Sequence, residues 1–206
     1  MKIDLNSFRE FSAEESEIWG KENYGDWLPQ LQNQEYMPQT PTEQFFRWYT
    51  QGIHYALNRI VRFVGVDNYD YMDSIFTKEM FLDSIAEINK HKLTEDIVVY
   101  RYVENTLIKP MLEWGGSCRL KKNAILVDRG YLSTTLSLDA VKNRSYATLN
   151  GHSLFTIYVP NGTPCVFVDL ISDMNENEML FAPGIKLKVL GSYWFGKNVE
   201  CVVLNN

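Results

Sequence analysis

The chain has 206 residues, 45% of them hydrophobic and 22% charged, which is enough apolar material for one packed domain and too little for several. Its formal net charge is −6 and no Lys/Arg cluster interrupts it, so neither nucleic acid nor a membrane is expected as a partner. Cys118, Cys165 and Cys201 form no Cys-x-x-Cys, and His54, His91 and His152 lack ligand spacing, so neither a metal site nor a disulfide framework is expected.

Ser12-Ala13-Glu14-Glu15 is a capping box and predicts a helix to about Gly20. Residues 21–39, rich in Gln, Asn and Pro around Tyr24 and Trp27, read as an irregular or short-helical connection. Thr40-Pro41-Thr42-Glu43 starts a second helix. Its apolar positions Phe45, Trp48, Tyr49, Ile53, Leu57, Ile60 and Val64 carry helical spacing to a stop at Gly65. A third helix spans Lys78 to about Lys90, capped by Thr77, with Met80, Phe81, Ile85 and Ile88 inward. The pattern changes at Ile97. Strands are predicted at 97–103, 130–136, 154–159, 164–170, 178–181, 185–190 and 200–204, with a turn at Pro160-Asn161-Gly162-Thr163-Pro164 and a short helix from Leu138 to about Tyr146. A helical block (1–95) followed by a strand-rich part (96–206) reads as one α+β domain with a mostly antiparallel, two-sheet core.

Three features stand in order along the strand-rich half: Tyr100-Arg101, Gly130-Tyr131-Leu132-Ser133-Thr134-Thr135, and Glu176-Asn177-Glu178. Each alone has a plain structural reading, as an edge charge, β-branched strand filler and a solvated strand edge. Were the last of them extended, Glu176 and Glu178 would share a face, where like charges repel unless a cation or a developing positive charge sits opposite.

On these motifs, with Met179-Leu180-Phe181-Ala182-Pro183-Gly184 after the glutamates, the sequence resembles the mono-ADP-ribosyltransferases of the arginine–serine–glutamate class, which include bacterial exotoxins and effectors. Trp19-Gly20-Lys21-Glu22-Asn23-Tyr24, Trp48-Tyr49-Thr50 and Asn58-Arg59 add a weaker likeness to the enzymatic components of binary actin-modifying toxins. The resemblance implies the ADP-ribosyltransferase fold over 1–206, NAD as substrate without a metal, and transfer of ADP-ribose to a protein. Glu178 would stabilise the oxocarbenium-like centre left as nicotinamide departs, as carboxylates do in glycoside hydrolysis. Ser133 would orient that carboxylate, and Arg101 would offer its planar fork to the pyrophosphate. Tyr100, Thr134 and Thr135 join the NAD-binding set. So do Arg144 (for phosphate) and Tyr146 (for the nicotinamide face), while Tyr49 and Tyr55 cover the nicotinamide pocket.

In relatives the first acid of the pair engages the acceptor, and a Glu at that place, here Glu176, points to arginine. Actin is one possible target, but Ser172-Asp173-Met174-Asn175 is short and lacks the aromatic that actin-modifying relatives carry there. The middle strand also ends in Thr135 where the family has Ser. Residues 1–6 lack the apolar segment of a classical signal peptide and no 18-residue apolar run exists. The expectation is a soluble protein acting in the cytosol of a target cell. It would be secreted, injected or expressed from a phage, with a delivery component or an immunity protein as further partners. The alternatives are an NAD glycohydrolase and a catalytically dead binding module of the same fold. Glu176 argues against hydrolysis alone, and retention of all four polar residues argues against mere binding.

Overall fold

A computed structural model of the chain describes residues 4–65, 77–142, 151–193 and 197–205. Helix α1 (Ala13–Tyr24) opens on the expected box: Ser12 Oγ accepts from the Glu15 N–H at 3.2 Å, and Glu15 Oε2 accepts from the Ser12 N–H at 2.9 Å. The helix runs past Gly20 because that glycine serves packing rather than termination. A Cβ there would meet the Phe167 ring at 2.1 Å.

Helix α2 (Pro41–Trp48) has its own capping box between Thr40 and Glu43. The single long helix predicted beyond it is two. A wider turn, Tyr49–Ile53, contains Gln51 and Gly52 in non-helical conformation, and α3 (His54–Phe63) restarts after it. Gly52 stands at φ 100°, a region that glycine enters without steric cost. Apolar periodicity survives the break, so spacing alone does not reveal it. Helix α4 (Lys78–Lys90) has the predicted bounds, with the Thr77 hydroxyl accepting from the Met80 N–H.

Strand β1 (Ile97–Glu104) begins the sheet. Two unpredicted elements follow: α5 (Asn105–Trp114), which holds Pro110 in its interior, and the four-residue strand β2 (Ile125–Asp128). Then come β3 (Leu132–Thr135), α6 (Leu138–Lys142), β4 (His152–Val159), β5 (Val166–Phe167) and a 3-10 turn, Val168–Ile171. Strands β6 (Glu178–Phe181), β7 (Ile185–Tyr193) and β8 (Asn198–Val203) complete the order. The end of the predicted helix, 143–146, lies outside the described residues.

The strands form one 8-stranded sheet, ordered β2-β7-β8-β4-β1-β3-β6-β5. It is antiparallel throughout except at β4–β8. Where two sheets are expected there is one, with a narrow waist. Strand β1 pairs with β4 along its whole length but meets β3 only at Tyr100↔Thr135. The main core joins the helical block (Trp19, Phe45, Phe46, Phe81) to the sheet (Val99, Phe155, Phe167, Met179), and a smaller one gathers Phe8, Val98, Tyr100 and Val141. Among the described residues no helix is long and apolar enough to cross a membrane.

Replacing Gly20 by Ala forces a methyl group into the Phe167 ring, the kind of overpacking that typically costs about 1–3 kcal/mol. A lowered urea midpoint at unchanged slope is the expected result; unchanged stability would mean that α1 does not pack this closely.

Candidate active site

The side chains expected from the sequence to form the site converge at the waist of the sheet. Arg101 projects from β1, Ser133 and Thr135 lie on β3, and Glu178 opens β6. Register sets Thr135 opposite both Tyr100 and Glu178, so one line of residues crosses three strands. These strands and α3 enclose a cavity of ≈ 520 Å³ bordered by Arg101, Ser133, Glu176 and Glu178, a volume typical of small-molecule sites.

Arg101 Nη1 donates to the Ser133 carbonyl at 2.9 Å, tying the β1 guanidinium to the β3 backbone. Burial and the neighbouring Arg62 lower the pKa of Arg101, while Asp128, Tyr49 and Glu178 work in the opposite direction. Arg62, from α3, is neutralised by a bidentate pair: Nε to Asp128 Oδ1 at 2.7 Å and Nη2 to Oδ2 at 2.8 Å. Asp128 is 1% exposed at the end of β2. Its Oδ1 also accepts the Gly130 N–H, and Asn58 Oδ1 accepts the Tyr131 N–H at 2.7 Å. A Cβ on Gly130 would sit 2.8 Å from both Arg62 Nε and Asn58 Oδ1, so any larger residue here must displace these two side chains of α3.

Glu176 and Glu178 both face the cavity, but not through strand alternation. Strand β6 begins only at Glu178, and Asn177 between them stands at φ 51°, in the left-handed region that asparagine tolerates. Asn175 does the same at φ 48°. A turn, not a pleat, presents the two acids together. Thr135 Oγ1 holds it from one side by donating to the Glu176 carbonyl at 2.7 Å.

The remaining expected residues divide. Tyr55 borders the cavity and its hydroxyl donates to Glu104 Oε1 at 3.1 Å, spanning from α3 to the end of β1. Tyr49 is a correction: it is 1% exposed and stacks on Phe45, so it lies beneath the cavity instead of lining it. Its ring is held there by Phe45 and Tyr131, and the Asn58 side-chain N–H donates to its hydroxyl at 3.4 Å. Burial, reinforced by Glu178, raises its hydroxyl pKa. Tyr100 is buried against the smaller core and also borders the cavity; burial, with Glu10 near, raises its pKa. Thr134 Oγ1 donates to the Met179 carbonyl, holding β3 to β6, and lines the cavity as well. Arg144 and Tyr146 lie outside the described residues.

Sequence reasoning missed Arg62, Asp128, Asn58 and Glu104 as parts of the site. Arg62 and Asp128 are 66 positions apart, and neither sits in a local motif. The cavity is therefore lined by three arginines, Arg59, Arg62 and Arg101, together with three glutamates, Glu104, Glu176 and Glu178. Such a site suits a ligand with an anionic centre and a cationic or electron-poor group beside it.

A model of the ADP-ribosyltransferase exoenzyme family matches residues 16–204. No curated protein gives a significant sequence match. Among solved structures the chain is similar to Plx2a, an ADP-ribosyltransferase toxin from Paenibacillus larvae, at 22% identity and TM-score 0.67, over 95% of this chain and 99% of that one. It is similar to C3stau2 from S. aureus, solved with NAD, at 18% identity and TM-score 0.65, over 97% and 100%. BECa, an ADP-ribosylating toxin of a binary enterotoxin of C. perfringens, solved with NADH, matches at 18% identity and TM-score 0.67, over 95% of this chain and 50% of that one. At these identities the structures speak for the fold.

Breaking the Arg62–Asp128 pair leaves an uncompensated buried charge, which typically costs about 3–5 kcal/mol. Asp128→Ala is therefore expected to lower stability by that order in chemical denaturation. The double variant Arg62→Met with Asp128→Leu should recover a large part of the loss. Equal losses in both variants would refute this reading of the pair.

Proposed function

Because the chain belongs to the ADP-ribosyltransferase exoenzyme family, we propose that it transfers ADP-ribose from NAD to an arginine side chain of a protein, releasing nicotinamide. The observation that carries this reading is the opening of Glu176 and Glu178 together onto the cavity that holds Arg101 and Ser133. NAD as donor is supported by the mixed charge of that cavity and by the nicotinamide dinucleotides held in C3stau2 and BECa.

Arg101, already anchored on the Ser133 carbonyl, turns its planar fork of donors to the pyrophosphate. The bond between the ribose carbon and the nicotinamide nitrogen breaks, and its electron pair goes to the pyridinium ring, which leaves neutral. Positive charge develops on the sugar, beside Glu178. Ser133 orients that carboxylate, and Tyr55 at the cavity edge covers the nicotinamide side. A guanidinium nitrogen of the acceptor then forms the new bond to the ribose carbon, while Glu176 pairs with the guanidinium and takes its proton. Hydrolysis needs only Glu178, so a second acid on the same cavity favours transfer over simple NAD cleavage. The toxins Plx2a and BECa support the further reading of a toxin or effector whose protein target lies in the cytosol of another cell.

Glu178→Gln is expected to suppress both NAD hydrolysis and transfer by ~10²–10³ in rate with the fold intact, since the charge facing the transition state is gone. Glu176→Gln is expected to separate the activities: hydrolysis stays within about tenfold, while transfer to agmatine or polyarginine collapses. Labelled NAD with separate readouts for free and transferred ADP-ribose measures both. Surviving transfer in the Glu176 variant would mean that the acceptor is not arginine.

Arg101→Lys keeps the charge but loses the fork and the bond to Ser133 O, so NAD affinity should fall by about tenfold or more. Isothermal titration with NAD gives the answer, and wild-type affinity would make Arg101 a purely structural residue.

A further inference from the structure

Asp169 lies outside the cavity, in the 3-10 turn that follows β5. Its Oδ1 accepts the Glu176 N–H at 2.6 Å. That bond falls between two left-handed residues, Asn175 at φ 48° and Asn177 at φ 51°, so it anchors the bend where the chain turns toward β6. From the opposite side β3 supplies donors: Thr135 Oγ1 to the Glu176 carbonyl and the Leu136 N–H to the Asn177 carbonyl at 3.0 Å. The turn is therefore clamped by the Glu176 N–H on one side and by two of its carbonyls on the other. Burial raises the Asp169 carboxyl pKa, backbone N–H groups of the turn pull it back, and the Glu176 charge adds to the rise.

The two glutamates do not depend on this clamp equally. Glu178 is also fixed by pairing with Thr135 in the β3–β6 ladder, whereas Glu176 precedes the strand. We propose that Asp169 is a positioning residue that holds the Glu176-Asn177-Glu178 turn, and through it the acceptor-side carboxylate of Glu176 in particular. This inference rests on the division of roles proposed for the two acids.

The test combines amide hydrogen exchange with kinetics on the whole protein. In the unaltered chain the Glu176 amide should exchange slowly although it precedes the strand; free exchange there would overturn the proposal. In Asp169→Asn, and in the smaller Asp169→Ser, exchange at Glu176 should speed up by ~10–100-fold, the scale of hydrogen bonds lost to a charged group, while β7 and β8 keep their protection. The rate of transfer to agmatine should fall by a similar factor, hydrolysis by no more than about threefold, and the KM for NAD should hold. Parallel loss of transfer and hydrolysis, or unchanged exchange at Glu176, would overturn it. If the unaltered protein has neither activity, the functional reading fails, and the exchange measurements alone decide what Asp169 holds.

Discussion

The structure turns on the single register pair Tyr100↔Thr135, where β1 touches β3. A full ladder there would close the sheet. With one pair, the strands part immediately beyond it, and the space between them, covered by α3, becomes the cavity. Buried backbone groups at such a parting must find partners. The Ser133 carbonyl takes an Arg101 N–H where a longer ladder would supply a backbone donor. The side chain that ties the two halves of the sheet together is thus also one that borders the cavity.

The charge of the site follows from that geometry and not from the charge of the chain. An overall −6 coexists with a cavity bordered by Arg59, Arg62 and Arg101. Their proximity would be costly, and the cost is met in different ways. Arg62 is neutralised by a buried carboxylate in a forked geometry, which also docks α3 on the sheet. Arg101 lies in the opposing fields of Asp128 and Glu178, which offset part of the cost of its burial beside Arg62. The glutamate turn is organised by the same logic in reverse, with the Glu176 N–H on Asp169 behind and carboxylates toward the cavity. Stored electrostatic tension of this sort is characteristic of sites where charge develops during a reaction.

Local physics made much of the fold legible. Two capping boxes and the Thr77 cap start helices where residue types alone put them, because a cap is a contact within four residues. Alternation gave β4, whose burial alternates at every position. Failures came where a residue has two physical uses. Gly20 reads as a stop but is the contact point for Phe167; Gly52 reads as tolerable inside a helix but carries the break. Pro110 reads as a breaker yet lies within α5, and β2 is too short for its four residues to show a period.

By itself, the sequence determined the chemistry on offer: one arginine in an apolar strand, a hydroxyl-bearing strand and two acids a residue apart, in that order. It also carried, unread, the reason the acids meet, since Asn175 and Asn177 are the residue type that enters the left-handed region most readily. Only the tertiary structure decided which helical tyrosine reaches the cavity, because Tyr49 packs against Phe45 and Tyr131 while Tyr55 stands exposed at the rim. It alone brought Arg62 to Asp128 and Asp169 beneath Glu176, contacts set by strand order and helix docking across the sheet. Motifs are local in the chain, whereas the burial and electrostatic fields that orient them come from residues the fold brings together over long separations.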